Sequence, residues 1–231
     1  MYVIHNGLIV TEEKILENHA LVIDGKYIHA IVPNEEVQNW QNAEQVDANG
    51  AYITPGFIDI HSDYIETISA PRPTSLIDLN ISLKETEKIL INNGITTMFH
   101  SLSLYKTDMF SKNAMRTKEN VQRLINLIHE TSDDLHLIRH RLHARFEMDI
   151  TEGVDLLLEN IEQNKVHLIS FMDHTPGQGQ YRNLQYYYDT IQGYRSISNN
   201  EIQTMIAEKQ RAEIITPEQI KDITTLAVEK N

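Results

Sequence analysis

From Pro55 onward the chain alternates strand-length apolar runs with amphipathic helical stretches, and this rhythm restricts the fold more than any other feature. It is the signature of βα repeats around a parallel sheet. Strands are predicted in "GFIDIHS" (56–62), "ITTMFHSLSL" (95–104), "DLHLIRHRLHARFEM" (134–148) and "VHLISFMDH" (166–174). Between them, "SLKE" opens a helix with Ser82 and Glu85 at capping-box spacing, and Gly94 sits where that helix should stop. "TKENVQRLINLIHE" sets Val121, Leu124, Ile125 and Ile128 on one stripe, and "VDLLLENIEQNK" does the same with Val154, Leu157, Leu158 and Ile161. Two later helices are expected, one capped by Ser198 and Glu201, the other by Thr216 with Pro217 at its first position. Residues 1–54 differ in texture: short β runs, with Asp24-Gly25 as a hairpin signal, predict a small separate β unit. The segment 174–198 is too long for a βα connection and carries several tyrosines, which predicts a substrate loop or lid, or else an oligomer contact.

In such folds ligands gather at the carboxyl ends of the strands. Those ends carry His61 and Asp63, then His100, then His143, Arg145 and Glu147, then Asp173 and His174. Residues i and i+2 of a strand share a face, so His61 and Asp63 are expected to project together and Ser62 to face away. Imidazole with carboxylate suits Zn²⁺, Mn²⁺ or Fe²⁺. With no cysteine in the chain, disulfides, thiolate-bound metal and a Cys nucleophile are excluded, and the eleven histidines are the soft ligands left. Most have a plainer reading: His5, His19 and His29 as surface residues, His129 and His136 as helix-end residues, His167 at the wrong end of its strand, and His100 and His140 with no stronger claim.

"RHRLHARFE" (139–147) stands out in a chain with 33 acidic and 20 basic residues. Alternation puts Arg139, Arg141, His143, Arg145 and Glu147 on one strand face, which must meet either the protein's own carboxylates or a phosphate-rich ligand. The net charge of −13 argues against a nucleic-acid binder. No run approaches 18 uninterrupted apolar residues and the N-terminus lacks a signal-peptide pattern, so no membrane contact and a cytoplasmic location are expected.

The strings "ITPGFIDIHSDYIE", "APRP" (70–73), "HARFE" and above all "SFMDHTPGQGQYR" resemble the PhnM family of the carbon–phosphorus lyase pathway, a branch of the amidohydrolase superfamily, over nearly the whole chain. The resemblance implies an α/β chain with a partial (β/α) TIM-type barrel of the metal-dependent hydrolase kind over residues 55–231 and a small N-terminal β-sandwich segment over 1–54. It further implies hydrolysis of α-D-ribose 1-methylphosphonate 5-triphosphate to the 5-phosphate and pyrophosphate, in phosphonate catabolism, with one or two divalent metals (Zn, Mn or Fe). Residue by residue, His61 and Asp63 match the first-strand metal pair, Glu147 a bridging carboxylate and His174 a histidine ligand of the next strand. Arg72, Arg139, Arg141, Arg145 and Arg182 are inferred to bind the phosphates, with His143 and Gln178 completing the substrate set.

The family's later His ligand and its general-base Asp find no counterpart before residue 231, and a full barrel takes about 250 residues. A C-terminally incomplete form is therefore expected, a fragment whose full activity needs the missing part or else one that a second copy or a complementing chain completes, with a phosphorylated small molecule as substrate. Two other readings stay open: an amidohydrolase acting on a C–N bond, and a degenerate binding protein without catalysis.

Overall fold

The computed structural model describes residues 1–72, 74–104, 113–131, 136–194 and 196–230. Pro73 of the "APRP" string and residues 134–135 of the third strand prediction lie outside them. The chain divides into two units, Met1–Gly56 and Phe57–Asn231.

In the first unit, β1 (Tyr2–His5), β4 (His19–Asp24), β5 (Tyr27–Pro33) and β6 (Glu44–Asp47) form a sheet in the order β5-β4-β1-β6. A second sheet has the order β3-β2-β7, from β2 (Leu8–Val10), β3 (Ile15–Leu16) and β7 (Tyr52–Ile53). Asp24 pairs with Tyr27 across the β4–β5 turn, as the Asp-Gly signal predicts. Val3, Ala20 and Val22 are fully buried and form this unit's core.

The second unit is built on the parallel sheet that the βα rhythm predicts, in the order β11-β10-β9-β8, curled into the part-barrel that the resemblance implies. Its strands are β8 (Phe57–Ser62), β9 (Ile95–Leu104), β10 (Arg139–Glu147) and β11 (Leu168–Met172). The helices are α1 (Tyr64–Ser69), α2 (Leu79–Asn92), α3 (Lys118–Glu130), α4 (Val154–Glu162), α5 (Leu184–Tyr194), α6 (Asn199–Arg211) and α7 (Pro217–Lys230). Alternation along β10 works as the sequence demands: Leu142, Ala144 and Phe146 are wholly buried in a core shared with Val121, Leu124, Ile125 and Ile128 of α3 and Leu157 of α4. Because 3.6-residue periodicity aligns each helical stripe with that apolar strand face, removing their water contact stabilises each large side chain by about 1.5–3 kcal/mol.

Helix ends follow local chemistry, with one correction. Asp78, not Ser82, caps α2: its carboxylate accepts from the Asn80 N–H (3.0 Å) and the Ile81 N–H (3.2 Å), and Ser82 is buried one turn inside. A carboxylate that satisfies two orphan amides outcompetes the hydroxyl four residues later. Gly94 ends the helix at φ +76, where a Cβ would also crowd Phe57 at 3.3 Å. Ser198 and Glu201 form the predicted capping box of α6, and Thr216 Oγ1 accepts from the Gln219 N–H at 3.2 Å beneath α7.

The tyrosine-rich segment is not an open loop. Tyr181, Tyr187 and Ile191 bury against Ile202 and Ile206 of α6 in a small core of their own. Of the α5 tyrosines, Tyr187 is buried, Tyr188 packs partly buried against this core and Tyr186 is more than half exposed, so only part of the run serves as the apolar face of the helix.

Candidate functional site

The carboxyl end of the sheet gathers several of the predicted residues. Glu147 closes β10, and its carboxylate accepts a hydrogen bond from His174 Nδ1 at 2.7 Å, with its second oxygen at 3.0 Å. Parallel pairing sets Glu147 beside Met172, so His174, two residues on, falls over the end of the neighbouring strand. Glu147 ends the third strand of the sheet and His174 follows the fourth. Two residues back on the same face, Arg145 Nη1 donates to Asp63 Oδ1 at 3.3 Å. The Nε of Arg145 is buried and has no hydrogen-bond partner among the described residues.

His61 and Asp63 stand where β8 gives way to α1. The register of β8 on β9 shifts between Asp59 and Ser62, the His61 N–H turns onto Asp59 Oδ1 (3.0 Å), and Asp63 already stands at the start of α1. His61 meets His143 edge-on, with ring centroids 5.2 Å apart. His143 is buried and ties the strands together: its Nδ1–H donates to the Ile60 carbonyl at 3.0 Å, and the Ser170 hydroxyl donates to its Nε2 at 2.5 Å. The Ile60 carbonyl can only accept, which fixes that tautomer. Burial pushes the pKa of His143 down, against the raising effect of that carbonyl, so the neutral ring is favoured.

The remaining predicted residues are dispersed. Gln178 Nε2 turns back to donate to Asp173 Oδ2 at 2.5 Å, while Asp173 Oδ1 accepts from the Thr175 N–H at 2.9 Å. Asp173 thus organises the "HTPGQG" loop, whose Gly177 adopts φ +99. Arg182 and Arg72 are exposed. Arg139 and Arg141 sit at the start of β10, and at about 3.3 Å per residue Arg139 lies roughly 26 Å from Glu147. The structure therefore does not bring these two arginines to the carboxyl end. The three arginines of the strand do not stack as one buried face: Arg139 is exposed, and Arg141 donates to the His140 carbonyl at 3.2 Å.

Two groups were invisible to the strand-end argument. Glu66 is almost fully buried on α1 and accepts from Arg116 Nε at 2.7 Å. Burial raises its carboxyl pKa, outweighing Arg116, and the charges of Asp63 and Arg145 are close enough to act on it. At the opposite end of the sheet, Glu87 of α2 receives His140 Nε2 at 2.7 Å and also His136 Nδ1, and His140 Nδ1 faces His100 Nε2 at 2.8 Å. The signal for this cluster was present: His140 occupies the first of the positions 140, 142, 144 and 146, whose other members are the apolar Leu, Ala and Phe, and a buried imidazole needs a partner.

His61, Asp63, Glu147 and His174 offer the donor chemistry of a divalent-cation site, two imidazoles and two carboxylates. Glu147 and His174 are hydrogen-bonded to each other, Asp63 accepts from Arg145, and His61 packs edge-on against His143. Among the described residues, three ligand atoms within 4.8 Å of one another occur instead at Glu87, His136 and His140.

Comparison with known proteins fits this architecture. The NagA composite domain family matches residues 1–53. The alpha-D-ribose 1-methylphosphonate 5-triphosphate diphosphatase of Escherichia coli (strain K12) is 26% identical over 197 residues, 82% of this chain and 51% of the relative. A dihydroorotase of Listeria welshimeri is 41% identical over 61 residues, 26% of this chain and 14% of that protein. Among solved structures, the N-acetylglucosamine-6-phosphate deacetylase of Pasteurella multocida shares the fold with a TM-score of 0.52 and 20% identity, covering 83% of this chain and 48% of its own. Sequence and fold similarity fit the amidohydrolase superfamily. Within that class its likeness is to the PhnM diphosphatases, as the "MDHTPGQ" string implies. The chain spans about half the length of the diphosphatase and of the deacetylase. No helix among the described residues is long and apolar enough to cross a membrane.

Proposed function

We propose that this chain carries the phosphate-handling half of a metal-dependent hydrolase that cleaves α-D-ribose 1-methylphosphonate 5-triphosphate to the 5-phosphate and pyrophosphate. The observation that carries the reading is the buried Nε–H of Arg145, without a partner among the described residues, on the strand that Glu147 ends beside His174. A guanidinium stays charged and can only donate, so a buried N–H without an acceptor matches a missing anionic oxygen. Arg145 would bind a phosphoryl oxygen through Nε and Nη while Asp63 holds its other edge, and such positioned charge stabilises the oxygens on which negative charge grows.

Glu147 and His174, with His61 and Asp63, would hold the divalent cation, either zinc, manganese or iron. Bound there, the cation supplies Lewis acidity toward the phosphoryl group and lowers the pKa of a water molecule. Glu66, with its raised pKa, is suited to keep a proton near Asp63 and Arg145. The guanidinium supports a phosphorylated substrate over a neutral cyclic amide. Residues 1–54 would form a domain separate from 55–231. A second copy or a complementing chain would cover the edge of β8, where Phe57, Ile58 and Ile60 are each more than half exposed.

Phosphorus NMR of the purified chain with the triphosphate and added Mn²⁺ or Zn²⁺ tests the reading. Pyrophosphate should appear, vanish with chelator, and fall at least tenfold in rate in Arg145→Lys, which keeps the charge but loses the fork. Pyrophosphate release unchanged in Arg145→Lys, or absent from a folded, metal-loaded chain, would overturn it.

A further inference from the structure

We propose that Glu87, His136 and His140 form a second divalent-cation site, of the zinc type, at the amino end of the parallel sheet, away from the site proposed for hydrolysis. Three separate pieces of chain deliver the ligands: Glu87 from α2, His136 from the segment ahead of β10, and His140 from β10 itself. One atom from each lies within 4.8 Å of the others. Both imidazoles address the same oxygen, Oε1 of Glu87, so their ring nitrogens and that oxygen already surround a common point. Two imidazoles and a carboxylate form a donor set that zinc takes with a fourth position open to water.

The surroundings match what a metal-bound histidine requires. His140 would bind the ion through Nε2, and its other nitrogen is held by His100 Nε2 at 2.8 Å, with the two rings stacked 5.1 Å apart. Such a contact behind a ligand fixes ring orientation and tautomer. His100 is 1% exposed, and its Nδ1 is buried with no partner among the described residues. Without metal, His140 donates from Nε2 to Glu87, so His100 must donate from Nε2 to His140 Nδ1. With metal at His140 Nε2, the proton moves to His140 Nδ1, which donates to His100 Nε2, and His100 carries its own proton on Nδ1. The pair can therefore release His140 Nε2 to a cation by tautomer exchange, with both rings staying neutral and no proton lost.

The fourth position has access. His136 and His140 line a cavity of about 470 Å³ together with Thr96, Thr131, Arg139 and Arg141. A divalent ion on one carboxylate leaves a net positive charge, and the two arginines add to it, so the cavity would supply water or a small anion as the remaining ligand.

The test is titration of chelator-treated full-length chain with Zn²⁺ by calorimetry and with Co²⁺ by visible absorption, in which four-coordinate cobalt is intense and six-coordinate cobalt weak. Expected is one equivalent that gives the intense spectrum, and His136→Ala should weaken it at least about 100-fold, since even groups behind a ligand cost 10–100-fold. The double variant Glu147→Gln/His174→Ala should retain that equivalent, which separates this site from the hydrolytic one. His136 is partly exposed and outside regular structure, so its alanine variant should fold, with circular dichroism as the check. Unchanged affinity in His136→Ala, or loss of all binding in the double variant, would overturn the proposal. Glu87→Gln gives a second reading: affinity equal to the parent would also count against it.

Discussion

At the carboxyl end of the sheet, acidic and basic groups meet in pairs, Glu147 with His174 and Asp63 with Arg145. At the amino end, Glu87, His136 and His140 close into a triad backed by His100. Each end keeps a buried nitrogen that has no partner among the described residues, but the two are chemically different. Arg145 Nε is a permanent donor and calls for an anion. His100 Nδ1 can be donor or acceptor and permits a proton shift. The difference shows that residue type alone does not assign a site: on the readings proposed above, an arginine set among imidazoles and carboxylates suits one end to phosphate as well as to a metal, and a histidine pair suits the other to a cation alone.

The largest separation between the ends is expected in catalysis. Glu147→Gln should lower pyrophosphate release about 100-fold or more, whereas Glu87→Gln should leave it within about twofold. Equal losses would erase the distinction. Stability should run the other way. Glu87→Ala strips two imidazoles of their acceptor at a nearly buried site and should cost about 2–4 kcal/mol in urea unfolding.

Acid should act through the buried histidines. Burial pushes His100 down to about 3 from an ordinary value of 6.5, and burial, with the charges of Arg141 and His129, pushes His167 down to about 4. The unfolded chain therefore binds more protons than the folded one below pH 6.5, so their contribution is complete above that pH and is lost as pH falls toward 4. A urea midpoint unchanged between pH 7.5 and 5 would contradict this. The smallest effect belongs to Asp63→Asn: its ion pair with Arg145 is about half exposed on the Asp63 side and should contribute less than about 1 kcal/mol by the same unfolding measurement.

Much of this fold was legible because periodicity is a local property. The stripe of α3, the alternation of β10 and the Ser198 box each depend on residues within a few positions of one another. The site was only partly legible. Glu147 and His174 could be named because parallel register carries neighbouring strand ends together, whereas at His61 and Asp63 strand alternation is a weaker guide, since β8 breaks register on β9 and Asp63 passes into α1. Glu87 and His140 were missed because 53 residues separate them and only tertiary packing joins them. The run of tyrosines in α5 misled for a different reason: Tyr186, Tyr187 and Tyr188 are adjacent, so no helical spacing among them marks the one that is buried, and the segment read as a loop.

The sheet order β11-β10-β9-β8 means that every strand pairs with the one made just before it. Residues 57–172 can therefore assemble in the order in which they are synthesised, each new strand docking on a finished edge. Each such step closes only the loop of one βα unit, so the pairing contacts within this sheet stay short in sequence and should form as elongation proceeds.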